Sequence, residues 1–205
     1  RQLFDRDSCT YTYLLGDPKS REAVIIDPVL EHIERDLQLI SELGLKLKFA
    51  LETHIHADHV TGAGLLRQNL HCQNALSTYS RANGADLLLQ EGQILEFGSY
   101  HLQVIETPGH TNTCISFVTN CQSMVFTGDA LFIRGCGRTD FQDGNPETLY
   151  RSVYDKLFTL PESTRVYPAH DYKGFTCTTI GEEKSHNPRL GTGTTLTQFV
   201  EIMNN

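Results

Sequence analysis

Seven residues that cluster at or just after apolar strand-like runs are of types that bind metal ions: His54, His56, Asp58, His59, His110, Asp129 and His170. The first four fall within the stretch Thr53-His54-Ile55-His56-Ala57-Asp58-His59. Imidazole nitrogens and carboxylate oxygens suit a divalent first-row metal. A loop lets alternate side chains converge on one point, where a continuous helix would spread them around its surface. The plain alternative is a polar turn whose histidines bond to the backbone. It is outweighed by the cost of crowding ionisable groups beside a core strand with nothing to compensate them. The remaining histidines, His32, His71, His101 and His186, read as ordinary surface or core residues.

The elements that must position these donors are strands that end at them. Leu45, Leu47, Phe49 and Leu51 alternate with Lys46, Lys48, Ala50 and Glu52, a period of two that predicts a strand running into His54. A strand over His101–Thr107 stops at Pro108-Gly109, and His110 follows. A hairpin of Cys114–Thr119 and Ser123–Thr127 delivers Gly128-Asp129, and a strand over Arg165–Tyr167, broken by Pro168, delivers His170-Asp171. Four strand ends therefore carry a candidate ligand. That repetition raises His110 and Asp129 above ordinary turn residues.

Around this set, Tyr11–Leu15 and Ala23–Ile26 predict an opening hairpin joined by a turn at Gly16-Asp17-Pro18-Lys19-Ser20. Ile33, Leu37 and Ile40 recur at helical spacing over Glu31–Leu43, with Gly44 as a stop. A helix over Val60–Asn69 is expected, with Gly62 and Gly64 allowing close backbone approach near the loop, then a short strand at Ala75–Ser77 and a short helix or turn at Arg81–Asp86. Asn145-Pro146 is an N-cap and first-turn pair for a helix carrying Leu149, Val153 and Leu157. Thr195 and Gln198 form a capping box for a last helix with Leu196, Phe199, Val200 and Met203. This order of strands and helices predicts an α+β fold of two sheets packed face to face with helices outside, the ligands lining one edge. No repeat or linker interrupts it, so residues 1–205 are read as a single domain.

With 39% apolar residues the chain can build a core, and its net charge of -8 excludes a broad nucleic-acid-binding surface. An anionic substrate must then meet a local cationic pocket. There is no apolar run of the roughly 18 residues a membrane span needs, and Arg1–Asp5 lacks a signal-peptide core, so a soluble protein without a membrane partner is expected. Six scattered cysteines with no Cys-x-x-Cys pair point to reduced thiols in a cytosol-like compartment.

The set His54-x-His56-x-Asp58-His59, His110, Asp129 and His170 resembles the metallo-β-lactamase superfamily, an αββα sandwich with metal at one edge of the two packed sheets. Within it, Arg134-Gly135-Cys136-Gly137-Arg138-Thr139-Asp140-Phe141, Tyr167-Pro168-Ala169-His170-Asp171-Tyr172 and His186-Asn187-Pro188-Arg189 resemble the persulfide dioxygenases, over essentially the whole chain. The resemblance implies one Fe(II) per chain held by His54, His110 and Asp129, which would be both the metal-binding and the catalytic residues. It places His56, Asp58, His59, His170 and Asp171 behind them as hydrogen-bonding supports. Arg138, Tyr172 and Arg189 would line a glutathione pocket, the alternative being that the two arginines brace loops against acids such as Asp140 or Glu183. Cys136 reads as a structural thiol. The implied reaction takes glutathione persulfide, O₂ and water to sulfite and glutathione, in a homodimer or homotetramer of the bacterial cytoplasm or the mitochondrial matrix.

Spacing alone leaves the metal open, since seven donors could equally feed two zinc ions sharing Asp129. One rival is therefore a hydroxyacylglutathione hydrolase of the glyoxalase II type with a binuclear site. That family usually adds a long helical segment after its final histidine, where this sequence has only residues 171–205. A second rival is a non-catalytic metal-stabilised module, which would leave an intact ligand set unexplained.

Overall fold

Runs of apolar residues at strand spacing set up two six-stranded sheets in the computed structural model, which describes residues 1–205. The first sheet holds β1 (Gln2–Phe4), β2 (Tyr11–Gly16), β3 (Glu22–Ile26), β4 (Lys46–Leu51), β5 (Gln73–Ser77) and β6 (Leu87–Leu89), in that order. β1, β2 and β3 pair antiparallel, and β3 to β6 run parallel. The second holds β7 (Ile94–Phe97), β8 (Tyr100–Glu106), β9 (Ile115–Thr119), β10 (Met124–Gly128), β11 (Arg165–Pro168) and β12 (Thr178–Thr179), again in chain order. Only β10 and β11 are parallel there.

The inner faces meet in one core in which Val24, Ile26, Phe49 and Leu51 face Leu102, Val104, Phe117 and Phe126. On the outside of the first sheet lie α1 (Ile33–Glu42) and α2 (Ala63–Leu70), where Ile40 and Leu66 pack on Ala23, Ile25 and Ala50. On the outside of the second lie α3 (Pro146–Asp155), α4 (Ile180–His186) and α5 (Leu196–Asn204), with Leu149, Val153, Ile180 and Phe199 packed on Val118, Val125 and Val166. Helix cover explains why Ala23 to Ile26 are all buried, since both faces of such a strand must be apolar. The result is the expected αββα sandwich.

One expectation about register fails. A simple alternation would put Leu47, Phe49 and Leu51 on one face, yet Leu47 packs on the helix side and the other two lie between the sheets. The β3–β4 pairing steps from Ala23↔Leu47 to Val24↔Phe49, leaving Lys48 as an extra, bulged residue that reverses the faces. The close approach expected at both Gly62 and Gly64 holds only for Gly62, where a Cβ would sit 3.1 Å from Ile33 Cδ1; beside Gly64 there is open space. Gly109 matters more for the site. Its φ of +137° and its contact with the Leu149 backbone, 2.3 Å from where a Cβ would be, require glycine just before His110.

Candidate metal centre

The loop after β4 takes its shape from Asp27, the residue that follows β3. Asp27 Oδ1 accepts the Thr53 N–H at 2.7 Å and its Oδ2 accepts the Thr53 hydroxyl at 2.8 Å. With its proton committed, the Thr53 oxygen is left to accept from His54 Nδ1–H at 3.0 Å, which leaves the His54 Nε2 lone pair free. His110 is set the same way, its Nδ1–H donating to the Arg138 carbonyl at 2.7 Å. Asp129, beyond the end of β10, places Oδ2 3.4 Å from His110 Nε2 and 3.9 Å from His54 Nε2.

These three donor atoms fit one metal ion. They lie within 4.8 Å of one another, separations natural to ligands about 2 Å from a common centre. Each imidazole is oriented by a hydrogen bond from its other nitrogen, the arrangement that fixes a ligating tautomer. Burial pushes His54 well below its ordinary pKa, keeping it neutral. Burial would raise Asp129, but His170, His54 and His110 outweigh it and hold the carboxyl well below the usual range. Two imidazole nitrogens and one anionic oxygen therefore face a cavity of about 430 Å³.

Of the other four motif residues, His170 and Asp58 are occupied with each other, while His59 Nε2 and both His56 nitrogens are buried without a hydrogen-bond partner. His170 donates from Nδ1 to Asp129 Oδ1 at 2.6 Å and from Nε2 to Asp58 Oδ2 at 3.0 Å. Burial opposes its protonation, yet the two carboxylates raise it to about 10. Asp58 Oδ2 also lies 3.1 Å from His59 Nδ1 and accepts from the Thr10 hydroxyl at 3.2 Å. His56 turns its Nε2 toward Asp27 Oδ1, at 3.1 Å, and Glu52 Oε2, at 3.6 Å. Burial and the charge of Asp27 raise Glu52 to about 8.

Asp171 differs from expectation. Its Oδ2 accepts the N–H groups of Lys173 and Phe175, at 2.9 and 2.8 Å, so the carboxylate closes a turn and supports no donor directly. Tyr172, 68% exposed, stacks on the His170 ring with planes 3° apart. Arg138, on the cavity wall, donates from Nε and Nη2 to Asp140 at 2.6 and 2.8 Å, and both side chains are about two-thirds exposed. Arg189 donates to the Cys136 carbonyl at 3.3 Å and lines an adjoining cavity of about 420 Å³ together with Lys173. The two cavities share Phe132, Cys136, His170 and Tyr172 as a common wall. Burial pushes the Cys136 thiol up to about 11, so it is no ready nucleophile.

Sequence reasoning missed Asp27, Glu52 and Thr10. Asp27 left a faint signal, an acid directly after the apolar run Ala-Val-Ile-Ile, and Glu52 was hidden as the polar partner in an alternating strand. Thr10 left none.

Residues 8–170 match the family profile of the Metallo-beta-lactamase superfamily. The mitochondrial persulfide dioxygenase ETHE1 of Mus musculus is 57% identical over 208 residues, a match covering 100% of this chain and 80% of that protein. The crystal structure of ETHE1 from Myxococcus xanthus superposes with a TM-score of 0.96 at 50% identity, covering 100% of this chain and 89% of that one. The hydroxyacylglutathione hydrolase GloC of Haemophilus influenzae is 37% identical over 191 residues, covering 83% of this chain and 88% of that protein.

Proposed function

This chain belongs to the metallo-beta-lactamase superfamily and is an enzyme of its persulfide dioxygenase branch. On that premise we propose that it oxidises glutathione persulfide with O₂ and water at one Fe(II) held by His54, His110 and Asp129. One persulfide, one O₂ and one water give glutathione, sulfite and two protons. The observation that carries the single-metal reading is the contrast in lone pairs. His54 and His110 keep one each, while His170 is bonded to carboxylates through both nitrogens.

Bound on the face formed by two imidazoles and a carboxylate, ferrous iron would supply redox capacity and exchangeable positions on its open side. The protein residues do the rest. His170 occupies Asp129 Oδ1, so Asp129 offers one oxygen, Oδ2, and its negative charge offsets part of the cation's. Arg138, Arg189 and Tyr172 bind the glutathione moiety, the arginines supplying the local cations that a chain of net charge -8 needs for a dicarboxylate. To do so Arg138 exchanges Asp140 for a substrate carboxylate, an exchange eased by the exposure of both partners. Phe132 and Phe141 provide apolar wall on the way to the donors.

The mouse relative is described as mitochondrial, and no helix here is long and apolar enough to cross a membrane. The first fits work in the mitochondrial matrix, the alternative for a bacterial source being the cytoplasm.

Protein purified without oxygen is expected to hold close to one iron per chain and to consume O₂ when given glutathione persulfide. The hydrolase reading draws on the second donor group, His56, Asp58, His59 and His170, whose ligand atoms also lie within 4.8 Å of one another. Two zinc ions per chain with thioesterase activity and no oxygen uptake would establish that reading instead.

A further inference from the structure

The two arginines assigned to the glutathione moiety stand in opposite electrostatic surroundings. Arg138 is joined to Asp140 fork to fork, Nε to Oδ1 at 2.6 Å and Nη2 to Oδ2 at 2.8 Å, and both side chains are about two-thirds exposed. An ion pair so exposed contributes little to stability, so it is a weak brace and is easily rearranged. Arg189 donates to the Cys136 carbonyl and is paired with no acid, and its cavity adds Lys173, also without an acid partner. The acid on that cavity, Asp171, has its Oδ2 taken by the N–H groups of Lys173 and Phe175, and Arg134 there is held by Glu182 and Glu183. One side thus offers a cation beside an anion, and the other an excess of cation.

Glutathione has the same asymmetry. Its γ-glutamyl end carries an ammonium and a carboxylate on one carbon, its glycyl end carries a carboxylate alone, and the sulfur lies between them. When Arg138 turns to a substrate carboxylate, Asp140 is left without its cation, and the γ-glutamyl end is the one that brings a replacement with it. The acids on the metal cavity are otherwise engaged: Asp129 by His170 and the metal position, Asp58 by His170 and Thr10. We propose that Asp140 is a specificity residue that receives the γ-glutamyl ammonium, so that glutathione persulfide lies with its γ-glutamyl end at Arg138 and Asp140 and its glycyl carboxylate at Arg189 and Lys173. The two ends then straddle the wall of Phe132, Cys136, His170 and Tyr172 that the cavities share. This rests on the glutathione reading given above and deepens it. A thiol carrier with a carboxylate but no ammonium at that end leaves the charge of Asp140 unanswered, which is how the site discriminates against it.

Oxygen uptake by the iron-loaded full chain tests this with three persulfides: that of glutathione, that of glutaryl-cysteinyl-glycine, which lacks only the ammonium, and that of glutathione amidated at its glycyl carboxylate. Asp140→Asn should raise KM about five-fold for glutathione persulfide and for the amide, with kcat and iron content unchanged. For the glutaryl compound KM should stay the same or fall, since Arg138 is freed from its partner. Arg189→Ala should raise KM for the glutathione and glutaryl compounds and spare the amide. Asp143→Asn, which removes the same charge from another exposed acid of that loop, should change none of the three. An equal rise for the glutathione and glutaryl persulfides in Asp140→Asn would make Asp140 a brace for Arg138 and overturn the proposal, as would no rise for either. An Arg189→Ala effect that persists for the amide overturns the orientation. Native protein with one KM for all three compounds overturns glutathione recognition itself, and native protein that consumes no oxygen with any of them overturns the proposed reaction.

Discussion

The two donor groups flanking Asp129 are made of the same residue types, yet the histidines beside it differ: His54 and His110 each keep a free lone pair and His170 keeps none. His54, His110 and Asp129 Oδ2 look into a cavity with their lone pairs uncommitted. His170, Asp58 and His59 are tied to one another and to Thr10 by bonds of 3.0 to 3.3 Å. Donor identity thus says where a metal could go. The hydrogen-bond partner on the far nitrogen says where lone pairs remain to receive one.

Breaking the open group should have the largest effect. Asp129→Ala removes its only anion, and both iron content and oxygen uptake should fall close to zero, as read by metal analysis and an oxygen electrode. Retention of full iron loading would remove Asp129 from the ligand set. Breaking the closed group should cost less. His170→Gln releases Asp129 Oδ1 and should weaken iron binding by about 10–100-fold in a competition titration, without abolishing it. Equal losses in the two variants would mean that both groups hold metal.

Smaller again is Arg138→Ala, on the cavity wall outside both groups. It should raise KM for glutathione persulfide about ten-fold, roughly 1.4 kcal/mol, while iron content stays unchanged. Loss of iron there would make Arg138 a structural residue, through the loop whose carbonyl orients His110. The smallest effect concerns metal-free protein. His170 is raised from 6.5 to about 10 by Asp129 and Asp58 against the effect of burial. Its contribution to stability is therefore complete below about pH 6.5 and is lost as pH rises through about 10. The carboxyls of Asp58 and Asp129 are held down, so theirs is present at neutral pH and lost only in strong acid. Urea unfolding across that alkaline window should show native protein declining relative to His170→Gln, and parallel curves would deny the clamp.

Much of this was legible in the chain because strand ends and metal-type residues coincide. The hairpin of β2 and β3, the helices α1, α3 and α5, and four of the strand ends follow from apolar spacing and from caps such as Asn145, whose side chain accepts the Thr148 N–H. β1, β6, β7 and β12 did not, since two to four residues are too few to show a period, and β11, equally short, was legible only from the Pro168 that breaks it before His170. α4 is a single seven-residue run whose Thr179 cap is unremarkable in sequence. The bulge at Lys48 could not be read either, because pairing with β3 decides it. The seven donors announced themselves by type, but their division into an open and a closed group depends on Asp27, Glu52 and Thr10, which arrive from separate elements and are ordinary until the fold assembles them.

Thr10 bonds to His170, a partner 160 residues away, and a backbone bridge joins the same two residues. The whole span from Thr10 to His170 must be synthesised before this closure can form. An emerging chain that has reached Asp129 already carries the open donors but lacks the closure. Asp129 therefore gains its His170 partner only after all three open donors are already in the chain.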